Sequence, residues 1–173
     1  MFIIESQHHD NLSNRLKVML EQMKKTFVDI PPHFKLLVAL NPTEAENTLK
    51  YLFRLMQHST IPTDLFAFIR LYVASQEGYK YCIHFNSKLL QTRGYSDESI
   101  EKVRREISSV PFDNRIKRLA EKGIKAVYSP SDFNLDDLKD LYYLNWNDEE
   151  IFEVINHAAF LFKNGKIISA YLK

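Results

Sequence analysis

The sequence has one cysteine, Cys82, in 173 residues. A single thiol cannot close an intrachain disulfide, so a reducing, cytoplasmic setting is the expectation. It also rules out paired-cysteine zinc sites, and the six histidines fall into no His-Glu-x-x-His pattern, so neither a metal nor another cofactor is expected. Glycine is equally scarce, with four residues, which leaves little room for the turns of a strand-rich fold. No charge sign dominates. Lys and Arg number 23 against 22 Asp and Glu, so no global field directs the chain to nucleic acid or to an anionic membrane surface. No apolar run reaches the roughly 20 residues of a membrane span. The start MFIIESQHHD is broken by Glu5 and Asp10, without a basic leader or cleavage pattern.

What is present is apolar patterning at spacings of three and four, which predicts an all-α protein. Leu12, Leu16, Met19, Leu20, Met23 and Phe27 line a first helix closed by Pro31 and Pro32. A short helix over His33 to Leu40 follows, then a third that starts at Pro42 and carries Leu49, Leu52, Phe53 and Met56. Leu65, Phe68, Ile69, Tyr72 and Val73 make a fourth, interrupted at Gly78, and a fifth from Tyr79 closes at Gly94. Ser96 caps a sixth through Ile107, ended by Pro111. A seventh spans Phe112 to Val127 and is weakened at Gly123, and residues 134–145 and 148–171 give the last two. The expected architecture is an antiparallel helical bundle of about eight to nine helices in one domain, with residues 1–60 an N-terminal helical extension and 61–173 the core.

Two passages are alike. Arg93-Gly-Tyr-Ser-Asp-Glu-Ser-Ile100 parallels Leu144-Asn-Trp-Asn-Asp-Glu-Glu-Ile151. Each closes a helix on a residue tolerant of left-handed backbone, Gly94 or Asn145, buries an aromatic, and opens the next helix on a polar cap with an acidic first turn. Ordinary helical-hairpin grammar explains this as readily as an ancestral duplication.

The stretch from Pro62 to Ser96 places Cys82 in the first turns of a helix, where the macrodipole and Lys80 lower a thiol's pKa and burial raises it. Tyr79, Cys82 and Asn86, spaced by three and four, share one helix face, and both neighbours can donate hydrogen bonds beside the sulfur. His84 points away from it. Glu149, Glu153 and His157 form an i, i+4, i+8 line, a spacing that can bind a metal between subunits and that a charged helix face explains without one. The basic residues from Lys102 to Lys125 are interleaved with glutamates and read as a solvated surface.

The segment Phe68 to Glu98, with VASQEG, then YKYC, then RGYSDESI, resembles the core of the AhpD-like alkylhydroperoxidase and carboxymuconolactone decarboxylase superfamily. The tail LYYLNWNDEEIFEVINHAAFLFKNGKI resembles the C-terminal hairpin of its peroxidase-related branch. The resemblance implies an AhpD-like all-α fold that assembles as a homo-oligomer, a dimer, trimer or hexamer. It also implies Cys-x-x-Cys peroxidase chemistry, with a histidine four residues after the second cysteine and a glutamate twelve residues before the first. Here Tyr79 stands for the first cysteine, Cys82 matches the second, Asn86 replaces the histidine and Ala67 the glutamate.

Glu77 substitutes for the missing glutamate if the bend at Gly78 turns it inward, and is otherwise a solvated loop carboxylate, the preferred reading. Two functions follow. One is antioxidant hydroperoxide reduction through Cys82, with Tyr79, Asn86 and Glu77 around it and an external thiol to resolve it. The other is a catalytically inactive AhpD-like paralogue, an oligomeric small-ligand-binding or interaction module.

Overall fold

The computed structural model describes residues 2, 12–27 and 29–173, apart from the side chains of Thr26 and Phe27. The N-terminal reading built on Glu5 and Asp10, and the placing of Phe27 on the first helix face, lie outside what is described. Among the described residues the regular elements are helical, save one isolated antiparallel bridge between Phe2 and Leu172. The helices are α1 (Asn14–Phe27), α2 (Pro32–Leu40), α3 (Pro42–Leu55), α4 (Thr63–Gln76), α5 (Lys80–Thr92), α6 (Asp97–Arg105), α7 (Asn114–Tyr128), α8 (Leu135–Tyr143) and α9 (Asp148–Ala170). None is long and apolar enough to cross a membrane.

The chain divides into two compact units, Met1–His58 with Ala170–Lys173, and Ser59–Ser169. The first packs α1, α2 and α3 around Leu16, Met19, Leu20, Met23, Phe34, Leu37, Ala45 and Leu49. The expected α1 stripe is therefore a core face. Pro32 and Pro42 sit in the first turns of α2 and α3, where the missing N–H costs no helical bond, and Asn41 caps α3 by accepting from Glu44 N at 3.1 Å.

The second unit is built on α4. Leu65, Phe66, Ala67, Phe68, Ile69, Leu71, Val73 and Ala74 are all buried, so the helix is apolar nearly all round and packs against α5, α6 and α7. Three of its turns share one design. Tyr79 N bonds Ala74 O at 2.9 Å, Tyr95 N bonds Leu90 O at 3.2 Å and Trp146 N bonds Leu141 O at 3.1 Å. The residue before each aromatic, Gly78, Gly94 or Asn145, has positive φ. These are Schellman closures, each followed by an aromatic.

Two helix boundaries depart from the sequence expectation. α6 ends at Arg105, and Ile107–Ser109 form a separate 3-10 turn because Glu106 is extended. α7 runs unbroken through Gly123, which is buried against Val154, and a Cβ there would lie 2.4 Å from Val154 Cγ1. Close approach of two helices, rather than a helix weakness, explains that glycine.

Candidate functional site

α5 starts one residue after the Schellman turn at Gly78, which puts Tyr79 at its N-cap position and Cys82 in its first turn. Tyr79, Cys82 and Asn86 lie on one helix face and are all buried. The shared face expected from their spacing is present. Its hydrogen bonding differs from the expectation, because neither neighbour donates to the sulfur. Asn86 Nδ2 donates to the Cys82 carbonyl at 2.8 Å, and Asn86 Oδ1 accepts from Arg70 Nε at 2.9 Å. The Tyr79 hydroxyl is buried with no hydrogen-bond partner among the described residues, and its ring carbons crowd the position a Cβ on Gly165 of α9 would take.

Cys82 is 5% exposed, and burial pushes its thiol up from the ordinary 9.0 to about 11. The opposing influence is the charge of Arg70, and Lys80, expected to lower the thiol, is exposed to solvent. Desolvation outweighs the one cation.

Arg70 is the residue that sequence reasoning missed. Set in an otherwise apolar helix, it was the signal available: a cation in a core helix needs acceptors. It finds Asn86 and, from α9, His157, whose Nε2 lies 3.0 Å from Arg70 Nη1 and 3.2 Å from the Phe66 carbonyl. A guanidinium only donates and a carbonyl only accepts, so Nε2 serves one of these partners at a time, accepting from Arg70 with the proton on Nδ1 or donating to Phe66 with the proton on Nε2. Burial first, and then the charge of Arg70, hold His157 well below its usual pKa, so it is neutral.

Glu77 ends α4, half-buried. Its influence falls on the tyrosines: after burial, it helps raise both the Tyr128 and Tyr79 hydroxyls. Ala67 is fully buried, and His84 is exposed. The line Glu149, Glu153, His157 is not one charged face. Each i+4 step advances 40° around the helix, so Glu149 is exposed whereas Glu153 and His157 are buried. No group of three or more metal-ligating side chains occurs among the described residues.

No protein-family model matches the sequence, and no curated protein matches it. Solved structures do match in shape. An uncharacterized peroxidase-related protein from Silicibacter sp. TM1040 superposes with a TM-score of 0.78 at 18% identity, covering 98% of this chain and 89% of that one. An alkylhydroperoxidase AhpD core protein, described as an uncharacterized peroxidase-related protein from Ralstonia eutropha JMP134, gives 0.79 at 14% identity, covering 96% and 88%. The chain has the all-α, AhpD-like peroxidase-related fold.

Proposed function

We propose that this protein uses an AhpD-like fold without its thiol chemistry, as a catalytically silent cytoplasmic homo-oligomer that serves as a small-ligand-binding or interaction module. One observation carries the reading. The only thiol is 5% exposed with its pKa pushed up to about 11, and Asn86, beside it, is tied to Arg70 and to the Cys82 carbonyl. A peroxidatic cysteine needs a thiolate, a proton handler and a resolving thiol. Cys82 lacks the second thiol, and neither Tyr79 nor Asn86 takes a proton at neutral pH.

The alternative is hydroperoxide reduction, in which Cys82 attacks the peroxide, releases an alcohol and becomes a sulfenic acid; one external thiol condenses with it to a mixed disulfide and water, and a second displaces Cys82 as the free thiol. Two observations favour it: the peroxidase-related description of the proteins of similar fold, and the Arg70 charge that favours thiolate. Hydroperoxide consumption with a dithiol reductant separates the readings. Wild-type protein and Cys82→Ser are expected to consume peroxide at the same background rate. A wild-type rate well above background that Cys82→Ser abolishes would overturn the silent reading in favour of the peroxidase.

A further inference from the structure

The last helix carries an exposed stripe that the candidate site does not use. Asp148, Glu149, Phe152, Ala159, Lys163 and Lys166 are exposed, and Phe152 is 62% exposed. At 100° per residue these six fall within about 60° on either side of Phe152, so they form one face of α9. Charge is segregated along it: both acids lie in the first turn, both lysines about four to five turns later, and Phe152 and the small Ala159 between them.

A face with acid at one end, base at the other and an apolar centre complements itself when turned end to end. We propose that this face of α9 docks antiparallel on the same face of a second copy of the chain. This rests on the homo-oligomer reading above and names its surface. A two-fold axis near residue 156 sets Glu149 opposite the lysine at 163 of the other copy, and Asp148 opposite the one at 166. Each pair occurs twice, as an isologous interface requires. Phe152 of each copy then packs beside Ala159 of the other, where a single methyl leaves room for the ring. The apolar centre supplies affinity, since rim charges contribute little by themselves and chiefly fix orientation. The helix has 23 residues, about 35 Å, a length that suits a standard interface.

Sedimentation of the full chain tests this. Phe152→Asp is expected to weaken self-association at least tenfold with the helical circular dichroism unchanged. Glu149→Lys and Lys163→Glu, each alone, are expected to weaken it roughly tenfold by setting like charges together. Mixed one to one, these two variants are expected to recover wild-type affinity, because an antiparallel pairing matches every reversed charge with its opposite. If wild-type protein assembles and Phe152→Asp leaves the assembly intact, or the mixture stays as weak as its components, this face is wrong while the oligomer reading stands. A wild-type chain that sediments as a monomer at roughly 100 µM, well above the Kd of a stable dimer, overturns both.

Discussion

At Cys82 a nearby guanidinium pulls toward thiolate, and burial pulls the other way and prevails. A rise from 9.0 to about 11 leaves roughly 100-fold less thiolate near neutral pH than an ordinary cysteine has. Native protein is therefore expected to react with iodoacetamide at least that much more slowly than urea-unfolded protein at pH 8. The native rate should still be climbing at pH 10, where an unperturbed thiol has levelled off. Arg70→Met is expected to lower the native rate further, because it removes the one cation that favours the charged form. A fast native rate with a plateau below pH 9 would contradict the burial argument.

Between elements, the tightest fit around the site is Tyr79 against Gly165. A Cβ on Gly165 would lie 2.3 Å from two ring carbons of Tyr79, so α9 meets the start of α5 only because position 165 has no side chain. A ring cannot bend aside as a flexible side-chain end does. Gly165→Ala is expected to cost about 1–3 kcal/mol in urea unfolding, and much less in a Tyr79→Ala background, where the clash is gone. Much of this scale was legible in the chain. Left-handed closures at Gly94 and Asn145, the caps after them and the break at Gly78 were readable because each depends on a few adjacent residues. Position 165 was not, since its partner lies 86 residues away. For the same reason Arg70, Asn86 and His157 could not be joined from sequence: three helices must pack before their polar atoms meet. The gap after α6 was missed because apolar spacing continued to Ile107 while the backbone at Glu106 had already become extended.

For the molecule as a whole, a formal charge of +1 means that net repulsion contributes little near neutral pH, and acid sensitivity falls to a few buried groups. His157 is held below 6.5 when folded and returns toward it when unfolded. The unfolded chain therefore binds the proton first, and the stability that His157 contributes is complete above about pH 6.5 and lost as pH falls below it, by up to about 1.4 kcal/mol per pH unit. Asp137 follows at lower pH. Buried, but held well below 3.8 by Lys122 at 2.5 Å and Lys125 at 2.6 Å, it stabilises the fold above about pH 4 and less as pH drops further. The two losses are separated by more than two pH units, so the region from pH 7 to 5 reports on His157. His157→Gln keeps an oxygen to accept from Arg70 and removes the titration. Urea unfolding at half-unit steps is expected to give a wild-type curve that declines below pH 6.5 and a His157→Gln curve that is flatter over that range. The other histidines are common to both proteins, so the difference between the curves belongs to the buried imidazole. Parallel curves would mean that His157 protonates as readily in the folded chain as in the unfolded one, which its contact with a guanidinium opposes.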